Sequence, residues 1–180
     1  MKLTPLALTL LALPAASFAL DMKAAEASVD ADIKAKLTPS IIEAIKAQNT
    51  AHASLDAAGI KKLDDQWKSE VTSASKPLIN KVLGNPVSTE LKKIQQSSGG
   101  KYIEIFVTDN KGLNVGQTGL TSDYWQGDEA KFTKVFPTPG THSEAPEFDE
   151  SAQAFVGEVD GTILDAGKAI GTYTVKVNAE

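Results

Sequence analysis

Two spacings of apolar residues divide this chain near Gly99-Gly100. Before that point the text is rich in alanine and lysine, and apolar residues recur every three or four positions, the period of a helix buried on one face. After it, β-branched residues alternate with polar ones between glycine-containing turns, the period of a strand. Thr38-Pro39 supplies a capping hydroxyl and a proline at the first helical position. Ile41, Ile42, Ile45, His52 and Leu55 then fall near helical spacing, with Gly59 as the predicted stop. A second stripe runs through Ile60, Leu63, Trp67 and Val71, and Pro77 interrupts the chain before Leu78, Ile79, Val82 and Leu83. Gly84-Asn85-Pro86 reads as a stop and a new start, Asn85 being the cap and Val87, Leu91 and Ile94 the next apolar face.

In the second half, Ile103, Ile105 and Val107 are predicted on one face of a strand and Tyr102, Glu104 and Phe106 on the other. Asp109-Asn110-Lys111-Gly112 turns that strand back into 113–117 as a hairpin. Residues 121–136 read as a loop leading into a short helix whose Ala130, Phe132, Val135 and Phe136 pack on the sheet, and 137–142 as an irregular surface loop. Two further strands, 152–159 and 169–178, are joined by Ile163, Leu164 and the turn Asp165-Ala166-Gly167-Lys168. Gly171, Tyr173, Val175 and Val177 share one side of the last strand. The predicted class is α+β: a helical N-terminal arm, 20–84, then a unit, 85–180, built on a mainly antiparallel sheet with a short helix over one face.

The first residues change the picture of where this fold works. Lys2, an apolar run over 3–13, Pro14 and the small residues up to Ala19 form a predicted signal peptide, 1–19, cut after Ala19. The run is short of the roughly 18 to 20 apolar residues that span a bilayer. The expected product is a soluble periplasmic protein. The net charge of -5, one unit more negative without Lys2, and the lack of any arginine exclude nucleic acid and anionic membrane surfaces as partners.

Without cysteine there is no disulfide, thiolate metal site or cysteine nucleophile. No Gly-x-Ser-x-Gly elbow, phosphate-cradling glycine loop or His-Glu-x-x-His helix occurs, so no enzyme and no cofactor is expected. His52 and His142 have no regular spacing to carboxylates, and Glu144, Glu147, Asp149 and Glu150 lack the spacing of a calcium loop and read as a solvated charge run.

Four segments carry a likeness: 105–115 (IFVTDNKGLNV), 121–132 (TSDYWQGDEAKF), 147–151 (EFDES) and 165–171 (DAGKAIG). Together, over roughly 87–177, the chain resembles the single-module Cache (PDC) sensor proteins of bacterial periplasms, with 121–132 the most specific part. The resemblance implies a PAS-like fold and a pocket on one face of the sheet, roofed by 121–132. Carried over position by position, the ligand-binding candidates are Tyr124, Trp125 and Asp128, with Asp165 a weaker fourth. The residues are compatible with that role, since two adjacent aromatics beside Asp123, Asp128 and Glu129 offer apolar faces and acceptors to a small cationic or polar ligand. Bland readings stand beside it: Tyr124 and Trp125 as core aromatics, Asp123 and Asp128 as caps, Asp109 and Asp165 as turn residues.

Two departures from the family pattern matter. Amino-acid-binding members of the wider family hold a carboxylate with arginine, which this chain lacks and lysine does not replace as a planar fork. With no membrane helix or signalling domain in view, the resemblance implies that a sensor of this kind reports to a separate membrane-bound histidine kinase, cyclase or chemoreceptor. The N-terminal helices either pair between protomers as a homodimer or pack back on their own domain; no heptads are sustained. The rival to a sensor is a non-catalytic interaction or structural module with the same fold and no functional pocket.

Overall fold

The computed structural model describes residues 20–150 and 152–180; the predicted signal peptide lies outside the described residues. Five helices come first: α1 (Met22–Lys36), α2 (Pro39–Ala51), α3 (Ala57–Thr72), α4 (Pro77–Leu83) and α5 (Pro86–Ser97). Strands β1 (Tyr102–Thr108) and β2 (Asn114–Gln117), helix α6 (Ala130–Thr133), then β3 (Thr141–Asp149), β4 (Ala154–Asp165) and β5 (Lys168–Asn178) complete the order. The sheet runs β2-β1-β5-β4-β3 with every neighbouring pair antiparallel. This is the expected α+β, PAS-like arrangement of a helical arm, an antiparallel sheet and a short helix over one face.

Local chemistry sets most helix ends. Thr38 caps α2 by accepting from the Ile41 N–H, and Asn85 caps α5 by accepting from the Ser88 N–H at 2.8 Å. The predicted stop at Gly59 is not one. Helix α2 ends at Ala51, and Gly59 sits in the first turn of α3, donating its N–H to the Asp56 cap at 2.8 Å. An aspartate three residues ahead of the glycine turns a breaker into a helix start.

One core joins the helices to the sheet, with Val29 and Ile33 of α1, Ile41 and Ile45 of α2 and Leu91 of α5 against Ile105, Val107, Val159, Tyr173 and Val175. Of the two readings of the helical arm, this is the one in which it packs back on its own domain. Tyr173 lies across Gly161, where a Cβ would overlap the tyrosine ring, and its hydroxyl donates to Asp30 of α1 at 2.7 Å. Tyr102 reaches Asp32 of the same helix at 2.6 Å. A second core gathers Trp67, Ile79, Val82, Leu113 and Tyr124 under α3 and α4.

Three expectations for the strands change, the first being that β4 runs on through Ile163 and Leu164, expected in a connection, to Asp165. A register shift between Tyr102 and Glu104 turns Tyr102 to the helix side and Ile103 to the other, because a bulge reverses the alternation predicted across it. His142, expected in a loop, belongs to β3, an edge strand that the alternation did not reveal. Its text, THSEAPEFD, is polar and holds Pro146, which suits an edge whose outer side pairs with no other strand among the described residues and reads as loop in sequence.

Replacing Gly161 by valine is expected to displace the Tyr173 ring and to cost about 1–3 kcal/mol, the usual cost of overpacking. Gly140→Ala, at a site with nothing within 4 Å of a new Cβ, is expected to be near neutral. Urea denaturation of both variants is the measurement.

Candidate functional site

The side of the sheet turned away from the helices is polar. Alternation places Glu104 and Phe106 of β1, Glu158, Asp160 and Thr162 of β4, and Thr172, Thr174 and Lys176 of β5 on this face. Part of it is closed by α6 and the turn after it, where Phe132 and Val135 are buried and the Thr162 hydroxyl donates to the Val135 carbonyl at 2.5 Å. The rest is an open cleft of about 540 Å³. Its floor includes Ile103, Glu104, Phe106 and Lys176, and its roof is the segment 118–131, which presents Ser122, Gln126, Glu129 and Lys131.

Charge in the cleft is dense and paired. The Lys131 ammonium lies 3.2 Å from Glu158 and 3.3 Å from Glu129, and 5.8 Å from the centre of the Phe106 ring. Lys176 lies 2.8 Å from Asp149 and 3.3 Å from Glu104. Burial pulls the pKa of Lys131 down, but Glu158 and Glu129 outweigh it and hold the ammonium above its ordinary value. Lys176 follows the same balance through Asp149 and Glu104. Glu158 is raised, chiefly by burial, with Lys131 opposing.

Asp160 is the most unusual group. It is fully buried; one carboxyl oxygen accepts from the Thr174 hydroxyl at 2.7 Å and the other has no hydrogen-bond partner among the described residues. Burial, then the neighbouring charge of Glu158, pushes its pKa up to about 9, so the carboxyl is protonated at neutral pH.

Among the described residues no group of three or more histidines or acids is placed to hold a metal, and no helix is long and apolar enough to cross a membrane. A second hollow of about 560 Å³ lies between α2 and α5, where Ala44, Ala47, Ala51 and Pro86 alternate with Ser40, Gln48, His52, Lys81 and Asn85; of these, Gln48 and His52 are already bonded to Asp109, and Asn85 to Ser88 and Val115.

The four sequence candidates are not gathered in one place. Tyr124 is buried against Trp67, ring centres 5.4 Å apart, and its N–H and that of Trp125 donate to Asp64 of α3 at 3.0 and 3.1 Å. The Trp125 indole donates to the Lys111 carbonyl at 2.8 Å. These two aromatics therefore pin the roof to the second core. Asp128 is exposed on the roof, and Asp165, on the β4–β5 turn, is ion-paired with Lys46 of α2 at 3.0 Å. Glu104, Phe106, Lys131, Glu158, Asp160 and Lys176 were not singled out as site residues. The trace of the strand residues in the sequence is the half of each strand alternation that carries the acids and lysine, which reads as a solvent face until α6 and the roof cover it, and Lys131 lies within the segment 121–132.

No protein-family model and no curated protein sequence matches this chain. Solved structures similar to it include the ligand-binding domain of the Campylobacter jejuni chemoreceptor Tlp3 in complex with 4-methylisoleucine, at 13% identity and a TM-score of 0.42, covering 83% of this chain and 59% of that one. The ligand-binding domain of the Pseudomonas fluorescens chemoreceptor CtaA with L-serine is similar at 10% identity and a TM-score of 0.40, over 66% of this chain and 48% of that one. The sensor domain of the V. cholerae histidine kinase DctB is similar at 11% identity and a TM-score of 0.37, over 88% and 58%. This chain thus spans less than two thirds of the length of each of them.

The raised pKa of Asp160 sets a pH dependence. The folded state holds a proton that the unfolded state releases near pH 4, so the stability this group contributes is fully present below that pH. It is lost as pH rises toward about 9. Asp160→Asn, which does not ionise, is expected to match the parent near pH 4 and to exceed it progressively toward pH 8, on the order of 1 kcal/mol for each pH unit above the unfolded pKa. Denaturation curves at pH 4, 6 and 8 test this.

Proposed function

We propose that this protein is a periplasmic, non-catalytic sensor module that binds a small polar molecule in the cleft between the polar sheet face and the roof 118–131. The single observation that carries this reading is the cleft: an open volume of about 540 Å³, of the size that takes small ligands, walled by half-buried, paired charges and one aromatic face. A module whose only task is to dock another protein needs no such cluster of half-buried charge in a concavity, since exposed polar groups would serve with less cost of desolvation. The resemblance of 105–115 and 121–132 to periplasmic Cache sensors supports the same reading from the sequence.

In this reading the roof is the moving part. It is anchored to α3 through Asp64 and to the second core through Tyr124 and Trp125, so a shift on ligand binding is passed to the α3–α4 surface. That surface is the proposed contact for a separate membrane-bound partner, a histidine kinase, cyclase or chemoreceptor.

A thermal-shift screen of the chain from Leu20 onward, against amines, organic acids, nucleobases and sugars, tests the proposal. A ligand at a hundred times its dissociation constant stabilises the fold by about 2.7 kcal/mol, which gives a shift of several degrees. Ser122→Trp, which fills the cleft from an exposed position, is expected to abolish the shift, whereas Trp125→Ala and Asp128→Ala measure what the roof itself adds. A hit that survives Ser122→Trp places the ligand elsewhere. No hit in a folded protein favours an interaction module.

A further inference from the structure

The cleft ends at Lys131, and what lies behind that side chain is acid. Lys131 lines the cleft, whereas Glu158, its ion-pair partner, and Asp160, two residues along the same strand face, do not line it. The ammonium therefore sits at the inner end, against Glu158, Glu129 and the face of Phe106. Two carboxylates and one aromatic face are what a protein uses to bind an ammonium group. Here the occupant is a side chain of the roof itself.

Charge counting points the same way. Lys131 and Lys176 face the four carboxylates Glu104, Glu129, Asp149 and Glu158, and behind them Asp160 holds its proton and keeps one buried oxygen without a partner among the described residues. An anionic ligand entering this cleft would add to an excess of negative charge, and there is no guanidinium to receive it as a fork. A cation would relieve the excess.

Resting on the cleft as the binding site, we propose that Lys131 is a tethered competitor in a cation subsite and that the ligand is an aliphatic amine or diamine carrying no carboxylate. The incoming ammonium takes the place between Glu129, Glu158 and Phe106, and Lys131 swings out toward solvent. Lys131 opens the short helix α6 at its second residue, so its release frees the roof from β4 at the point where the two are held by charge. Ligand binding and release of the roof are thereby one event. The second lysine, Lys176, keeps its partners on the floor and is not displaced.

Isothermal titration of the chain from Leu20 onward with putrescine, cadaverine and, as the anionic counterpart, glutarate tests this. A diamine is expected to bind and glutarate not. Lys131→Met, which keeps the aliphatic stem and removes the charge, is expected to tighten diamine binding at least fivefold. Glu158→Gln is expected to weaken it at least tenfold, and Ser122→Trp to abolish it. Circular dichroism confirms the fold of each variant, and Lys131→Gln takes the place of Lys131→Met should the latter fail to fold. Diamine binding weakened or unchanged by loss of the Lys131 charge overturns the competitor. Glutarate binding that Ser122→Trp blocks overturns the amine and leaves the cleft as the site. Diamine binding insensitive to Ser122→Trp overturns the cleft and the subsite together, as does the absence of binding by any of the three in both the parent and Lys131→Met.

Discussion

Everything in this molecule depends on the sheet having two unlike faces. Alternation along β4 and β5 sends Val159, Tyr173 and Val175 to the helices and Glu158, Asp160, Thr174 and Lys176 to the opposite side. The apolar face needs α1, α2 and α5 to exclude water from it, and its burial is the main source of stability for a chain with no disulfide. The polar face would be an ordinary solvated surface, were it not half covered. Covering it with α6 and the roof turns exposed carboxylates into buried ones, which is the origin of the raised pKa of Asp160 and of the tight pairing of Lys131.

The roof lies over that face because it is held from the other side. Asp64, almost fully buried on α3, accepts from two consecutive backbone N–H groups of the roof, and Lys68 one turn later bridges Asp64 and Asp123 at 2.7 Å to each. Stacking of Tyr124 on Trp67 adds about 0.5–1.5 kcal/mol beyond the area it buries. The neighbouring turn is held likewise: Asp109, with no exposure, accepts from Gln48 of α2 at 3.0 Å and is joined to His52, the C-cap of that helix, at 2.7 Å. Helices that look in sequence like an arm are thus the clamp that sets the height of the cleft.

The departures from the sequence reading have two kinds of cause. Gly59 looked like a helix stop because glycine is a breaker, yet the Asp56 cap three residues earlier recruits its N–H into a helix. Strand β3 looked like a loop because an edge strand is free to be polar and to hold proline. Ile103 and Tyr102 exchanged faces because one bulge reverses an alternation that sequence counting carries straight through. The first was decided by a cap three residues away, the other two by what the strand pairs with.

The sequence by itself determined the elements with strong periods and good caps: the stripes of α3 and α5, the hairpin at Asp109, and the face shared by Tyr173, Val175 and Val177. It also determined the chemical inventory of the site, acids and lysines without arginine or cysteine. Only the tertiary structure decided which of those charges meet. Tyr124 and Trp125 face the second core, while Lys131 and Glu158, 27 positions apart, share an ion pair of 3.2 Å at the end of the cleft. The physical reason is that alternation states which residues lie on the same side of one strand, whereas burial, and with it every shifted pKa and every paired charge, is set by what another part of the chain lays over that side.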